Sequence, residues 1–105
     1  MANTKKDEFT VDEVWLSDIA KALSHPARVR ILKILNETNS CIVGTLVDKL
    51  PLAQATVSQH LKELKRVGLI EGEIDGPKVF YCLNLKSLSK AKSSIDKLFS
   101  KIGCC

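Results

Sequence analysis

One stretch near the middle of the chain, QATVSQHLKELKRVG, begins with hydrogen-bonding side chains and ends with cations. Its apolar residues Val57, Leu61 and Leu64 recur at i, i+4 and i+7, which is the spacing of one face of a helix. The opposite face carries Gln54, Thr56, Ser58, Gln59, Lys62, Lys65 and Arg66. Glutamine can make paired hydrogen bonds to adenine, serine and threonine can bond to several bases, and cations can neutralise phosphates. The order favours a helix that reads base edges with its first turns and contacts the duplex backbone with its later turns.

Two further residues have the chemistry to extend this surface. His60 lies three residues after Val57, beside the apolar stripe, so we expect it to be half-buried and either to pack or to contact a phosphate. Metal binding is the less favoured interpretation of this histidine. Lys78 follows the hairpin signal Asp75-Gly76, and a cation at such a tip could reach the DNA backbone or the minor groove.

Four cysteines supply the other reactive groups, and they are too few and too scattered for a disulfide scaffold, so we expect thiols. Cys41 is expected at the start of a helix, where the dipole favours the thiolate, and Cys104 and Cys105 end the sequence. These three could bind a soft ion such as As(III) or Sb(III), or form a redox switch. A packing role for Cys41 and a tail without function are equally open. Cys82 alternates with strand residues, so the preferred interpretation is a small apolar side chain packed in a sheet.

Apolar spacing predicts the helices that precede this stretch. The first helix carries its stripe at Leu16, Ile19, Ala20 and Leu23. Thr10 and Glu13 have the spacing of a capping box at its beginning. Pro26 follows His25 and suits the first turn of a second helix, PARVRILKILNE. A short third helix is expected from Val43 to Leu50. Because the link to the next helix is so short, the pair indicates a helix-turn-helix.

Two β-like runs and a last helix complete the chain. LIEGEI and KVFYCLNL are rich in β-branched and aromatic residues and flank the Asp-Gly turn. SLSKAKSSIDKLFSKI then returns to helical spacing. The fold class is therefore mainly α with a small β-hairpin, in the order α-α-α-α-β-β-α, which is a winged helix-turn-helix. In this fold the second helix of the pair lies in the major groove of double-stranded DNA.

The first and last helices carry more apolar surface than a small chain can cover by itself. The residues concerned are Val11, Val14, Trp15, Ile95, Leu98, Phe99 and Ile102. Since a domain of 105 residues buries only a modest core, association is an ordinary way to bury more. We expect a two-fold homodimer through these two helices.

Composition is consistent with one small globular domain, residues 1–105, with residues 1–9 flexible and residues 103–105 forming a tail. The net charge of +4 is concentrated in basic blocks, including residues 21–35 and 86–105, which suit a polyanionic partner. No apolar run has the length of a membrane span and no secretory signal is present, so we expect a cytoplasmic protein. The sequence has no glycine-rich phosphate loop and no nucleophile that can be placed beside a base, so no enzyme is expected.

A second class of function uses the same fold. A winged-helix module can bind protein instead of DNA, and the acidic residues Glu71, Glu73 and Asp75 in the wing mildly support that alternative. Affinity for a duplex that falls steeply with salt would separate the two hypotheses.

Four motifs carry a resemblance to a known family. HPAR at 25–28, SQHL at 58–61, LKRVGLI at 64–70 and YCLN at 81–84 occur in an order that resembles the ArsR/SmtB group of bacterial repressors, over residues 16–84. The resemblance implies a homodimer, an operator that overlaps a promoter, and release from DNA when an inducer binds. Many members sense metal or metalloid ions, whereas others sense reactive sulfur or have no known ligand.

The sensing motifs of that group are not reproduced here. Members with a thiolate site near the third helix carry a Cys-Val-Cys motif, and its two cysteine positions fall on Ile42 and Gly44, one of them directly after Cys41. Members with a zinc site on the last helix carry Asp and His ligands there, whereas this helix has Asp96 and no histidine. A zinc site of that kind is therefore not expected, and thiols remain the candidates for an inducer site.

Overall fold

The computed structural model describes residues 8–38, 41–43, 50–74 and 80–103. These residues form four helices, α1 (Val11–Ala22), α2 (Pro26–Glu37), α3 (Gln54–Arg66) and α4 (Leu85–Ile102). They also form three strands, β1 (Cys41–Val43), β2 (Ile70–Glu73) and β3 (Phe80–Leu83). None of the helices in this part of the chain is long and apolar enough to cross a membrane. The winged helix-turn-helix class predicted from the sequence is confirmed.

Local side-chain chemistry sets where the helices begin and end. The predicted capping box is present, since the hydroxyl of Thr10 accepts from the backbone N–H of Glu13 at 3.1 Å and the Glu13 carboxylate accepts from the N–H of Thr10 at 2.9 Å. Pro26 occupies the first turn of α2, as expected. Ala53 precedes α3 without any side-chain hydrogen bond, which agrees with its being a poor N-cap. Gly103 ends α4 in the left-handed conformation.

The sheet has one strand more than the predicted hairpin. The strand order is β1-β3-β2, with both pairs antiparallel. Cys41 opposes Cys82 and Val43 opposes Phe80, so the expectation that Val43 begins a helix is wrong. Gly72 allows β2 and β3 to approach closely, because its φ is +136° and a Cβ there would lie 2.7 Å from the Cα of Tyr81.

Several predicted features lie outside the described residues. They are residues 44–49 of the expected third helix, the Asp75-Gly76 turn with Lys78, residues 1–7, and Cys104 and Cys105. Leu50, expected to end that third helix, is buried in the core. The boundaries of the single domain, 1–105, stay a prediction.

The core lies between the helices and one face of the sheet. Its largest fully buried side chains are Tyr81, Ile19, Ile31, Leu35, Leu64, Leu69, Ile70 and Val57. The stripe predicted for the first helix is partly wrong, because Ala20 is exposed and Ala22 is buried instead. α3 packs against α2 and β2, and α1 packs against α4. The core thus fixes α3 from one side and leaves its other side at the surface.

Candidate nucleic-acid interface

The outward side of α3 carries the side chains that the sequence predicts to contact DNA. Gln54, Gln59, Lys62 and Lys65 are exposed, and Thr56 and Ser58 are half-buried. The opposite side is buried through Val57, Leu61 and Leu64, as the helical spacing predicts. The core therefore presents the polar stripe of α3 to the surface as one continuous face.

His60 is on the inward side of this helix. Its side chain is only 8% exposed, and its ring packs against that of His25 with the centroids 4.4 Å apart. The Nε of Arg28 donates a hydrogen bond of 3.1 Å to the Nδ1 of His60. Burial lowers the pKa of His60, and the charges of His25 and Arg28 lower it further. This arrangement agrees with the packing role considered above; a direct phosphate contact by His60 stays a prediction that its burial disfavours.

Arg66 is engaged by carboxylates of its own chain. Its guanidinium donates two hydrogen bonds to Asp18 of α1, at 3.0 and 3.1 Å, and two to Glu63 of α3, at 2.7 and 3.0 Å. These bonds raise the pKa of Arg66, with Glu63 as the larger cause, and the bond from Arg66 lowers the pKa of Glu63. The structure therefore gives Arg66 a second role beside the predicted phosphate contact, that of joining α1 to α3.

The cysteines differ from the prediction. Cys41 and Cys82 form a disulfide between the adjacent strands β1 and β3, whereas four thiols were expected. Cys41 lies in a strand and not at a helix N-terminus, so the dipole argument for its thiolate is wrong. Cys82 forms a covalent bond to Cys41, whereas the sequence favoured a small apolar side chain packed in a sheet. Within the described ranges, no group of three or more His, Cys, Asp or Glu side chains could hold a metal ion.

An apolar surface remains uncovered on the first and last helices. Val11 is 87% exposed, and Leu98, Phe99 and Ile102 of α4 are 45%, 55% and 63% exposed. We call these four residues the terminal apolar surface. The Oγ of Ser94 donates to the carboxylate of Asp12 at 2.9 Å, which holds the beginning of α1 beside the middle of α4.

The other three residues predicted for the dimer interface are partly buried within the chain. These are Val14, Trp15 and Ile95. Trp15 packs against the core, and the Nζ of Lys90 lies 4.4 Å from the centroid of its ring. A change at Trp15 would therefore disturb folding and would not test the predicted dimer alone.

Arg28 and Asp18 were missed as candidate residues. Arg28 bonds to His60, 32 residues away, and Asp18 bonds to Arg66, 48 residues away. Helical spacing cannot show contacts between residues so far apart in sequence. The one available signal was the HPAR motif, which contains Arg28 but served only to place a helix boundary and to support the family resemblance.

Comparison with known proteins identifies this arrangement. The model of the bacterial regulatory protein, arsR family, matches residues 25–71, from the start of α2 into β2. An uncharacterised HTH-type transcriptional regulator of Methanocaldococcus jannaschii is 33% identical over 82 residues, which cover 78% of this chain and 92% of that protein.

Two regulators whose names state a role in transcription match over a smaller share of their own length. The HTH-type transcriptional repressor SmtB of Mycobacterium tuberculosis is 44% identical over 66 residues, 63% of this chain and 48% of its own length. The transcriptional activator HlyU of Vibrio cholerae is 36% identical over 80 residues, 76% of this chain and 70% of its own. This chain thus spans about half of SmtB and a larger part of HlyU.

Solved structures have the same fold. An ArsR-like transcriptional regulator from Rhodococcus sp. RHA1 superposes with a TM-score of 0.72 and 22% identity, covering 90% of this chain and 88% of that one. At that level of identity the likeness shows the fold alone. The crystal structure of Mycobacterium tuberculosis Rv0081 superposes with a TM-score of 0.58 and 27% identity, covering 88% of this chain and 97% of that one.

Proposed function

Because the chain belongs to the ArsR family of transcriptional regulators, we propose that it is a homodimeric repressor that binds operator DNA through α3 and is released by a signal acting on its thiols. The observation that carries the DNA-binding part is the outward face of α3, where exposed Gln54 and Gln59 precede exposed Lys62 and Lys65. A recognition helix reads base edges near its N-terminus, and this order supports the proposal that the two glutamines are readers.

The readers and the anchors have different tasks. Gln54, Thr56, Ser58 and Gln59 contact base edges, because amide and hydroxyl groups can distinguish bases by hydrogen bonding. Lys62 and Lys65 contact phosphates and supply affinity without sequence preference. Lys78, which lies outside the described residues, stays a candidate from the sequence for a contact with the backbone or the minor groove. Arg66 holds α3 on α1 through Asp18 and is the least suited of these cations to leave its partners for DNA.

The terminal apolar surface supports the homodimer. Three large apolar side chains exposed on the last turns of one helix are a contiguous patch that a second copy of the chain would cover. A two-fold dimer places two copies of α3 about 34 Å apart, so that they reach inverted half-sites about 10 base pairs apart. Repression is preferred to activation because SmtB, named a repressor, is the more identical of the two named regulators in the matched region.

The test of DNA binding is a selection of duplexes from a random pool by the wild-type protein. We expect an enriched sequence with inverted half-sites about 10 base pairs apart. A pool that shows no enrichment after repeated rounds, with protein shown to be folded, would contradict the proposal. The enriched sequence is called the selected duplex below.

The disulfide makes a redox signal the preferred form of inducer, with a soft ion such as As(III) or Sb(III) as the second candidate. Cys41 is exposed and Cys82 is half-buried, so a low-molecular-weight thiol can reach the bond. Two such thiols reduce it, and the products are two protein thiols and one small disulfide. A soft ion requires thiolates, so it can bind these cysteines only after reduction.

Thiol chemistry is tested by release from the selected duplex. The wild-type protein, in oxidised and in reduced form, is titrated with arsenite, antimonite, cadmium and a persulfide. The same titrations are made with Cys41→Ser, with Cys82→Ser, and with a chain that lacks Cys104 and Cys105. We expect the first two variants to lose the difference between oxidised and reduced protein. If every variant responds as the wild type does, these thiols are not the sensor.

A further inference from the structure

We propose that Arg28 is a positioning residue for DNA binding: its guanidinium joins the end of α1 to His60 of α3, and the link holds only while His60 is neutral. The inference rests on the proposed role of α3 as the DNA-reading helix. It assigns a function to Arg28 and His60 that does not require either side chain to touch DNA.

The guanidinium of Arg28 meets three helices at one point. Arg28 belongs to α2, and its Nη1 lies 3.3 Å from the carbonyl oxygen of Ala22 and 3.4 Å from that of Lys21, both in the last turn of α1. Carbonyls at a helix C-terminus lack partners within the helix and attract a cation. The Nε of the same guanidinium donates to Nδ1 of His60 at 3.1 Å. One side chain thus joins α3 to both α1 and α2.

The hydrogen bond from Arg28 defines the protonation state of His60. Arginine has five N–H donors and no acceptor, so Nδ1 of His60 must accept. The ring proton is therefore on Nε2, and the imidazole is neutral. A proton on Nδ1 would remove the acceptor and place a second cation against the guanidinium.

The surroundings of His60 oppose that proton. His60 is 8% exposed as a residue, and its ring faces His25 and Arg28 on the α2 side. The polar pocket on the far side of Arg28 is lined by Asp18, Lys21, Ser24, Arg28, Glu63 and Arg66. Both carboxylates among them are bound to Arg66, so they offer little attraction to a charged imidazole. Burial and the neighbouring charges lower the pKa of His60, which agrees with the neutral form that the geometry requires.

Acid should therefore weaken operator binding through the protein and not through the DNA. When His60 is protonated, α3 loses one of its links to α1, while the bonds between Arg66 and Asp18 remain. α1 carries part of the proposed dimer contact, so the spacing of the two copies of α3 becomes less well fixed, and specific binding depends on that spacing more than non-specific binding does. The quantity to follow is the ratio of affinities for the selected duplex and a random duplex, because general charge effects of pH cancel in that ratio.

The decisive variant is His60→Asn, since the amide oxygen of asparagine can accept from Arg28 near the position of Nδ1 and does not titrate. For the wild type we expect the affinity ratio to fall about tenfold between neutral pH and about pH 5.5. For His60→Asn we expect a ratio that changes little between neutral pH and acid, and this constancy is the readout, not the value at neutral pH. His25→Asn is the companion variant: it keeps a good N-cap for α2 and the titrating His60, so the loss in acid should remain, with its midpoint shifted to higher pH because a charge that lowers the pKa of His60 is gone.

A measurement on the free protein separates failure of this inference from failure of the proposed function. Nitrogen NMR of the His60 ring should show the Nε2–H tautomer at neutral pH, and Arg28→Lys should change it because lysine lacks the fork that reaches both α1 and His60. If the wild type selects no duplex, DNA binding fails while the NMR spectrum still tests the link. An Nδ1–H tautomer, or a His60→Asn variant that keeps the wild-type pH dependence, would overturn the inference.

Discussion

α3 and α4 are both amphipathic helices, but they use their apolar residues differently. α3 buries Val57, Leu61 and Leu64 almost completely within its own chain. α4 fully buries only Ala91 among its described residues and leaves its last turns exposed. α3 is therefore complete in one chain, and its proposed contact with DNA uses its polar face. α4 has an apolar face that needs a second surface, and we assign that surface to a second copy of the chain.

The largest expected effect comes from placing charges on the exposed apolar face of α4. Phe99→Glu combined with Ile102→Glu should give monomers, because two carboxylates in the interface would lose their hydration. Affinity for the selected duplex should fall by about 100-fold or more, since two linked half-sites gain that much from effective concentration. Sedimentation equilibrium and binding titrations measure the two results.

The matched control adds the same charge to the polar side of α4. Ser93→Glu combined with Ser100→Glu changes two exposed residues beside Lys92 and Lys97. We expect this variant to remain a dimer with nearly wild-type affinity. If both double variants stay dimeric, the terminal apolar surface is not the interface and the comparison of the two helices fails.

A smaller effect is expected from substitutions on the polar face of α3. Gln59→Ala should weaken binding to the selected duplex by ~1–3 kcal/mol and relax the preference at one position of each half-site. Lys65→Ala should weaken selected and random duplexes alike and reduce the salt slope by about 1. Equal losses on both duplexes for Gln59→Ala would show that this residue is an anchor and not a reader.

The smallest effect is on stability in acid, and it concerns the buried side of α3. His60 has a lowered pKa in the folded chain, so below its ordinary value of 6.5 the unfolded chain binds more protons than the folded one. The stabilising effect of the neutral ring is present above about pH 6.5 and is lost as the pH falls through the folded pKa. Urea unfolding as a function of pH should show this loss in the wild type and not in His60→Asn. An equal loss in both proteins would assign it to other groups.

The sequence predicts those parts of the molecule that depend on near neighbours in the chain. The capping box of Thr10 and Glu13 spans three residues, and the buried stripe of α3 follows from one helical period. The polar face of α3 could be predicted for the same reason. Exposure at Phe99 and Ile102 follows from apolar residues that one small chain cannot cover.

Pairing between distant segments could not be predicted in the same way. β1 has only three residues, and it is a strand because β3, about 40 positions further on, offers a free edge. The Cys41–Cys82 disulfide depends on that pairing and was missed with it. The contact of Arg28 with His60 likewise depends on how α2 packs on α3, which no local pattern contains.

The salt dependence of DNA binding tests the central claim most directly, namely that the outward face of α3 binds duplex DNA. Wild-type protein is titrated with the selected duplex and with a random duplex between about 50 and 200 mM salt. We predict that both affinities fall steeply and that the selected duplex stays the tighter ligand throughout. An affinity that is weak, equal for the two duplexes and unchanged by salt would contradict the account and favour a winged-helix module that binds protein.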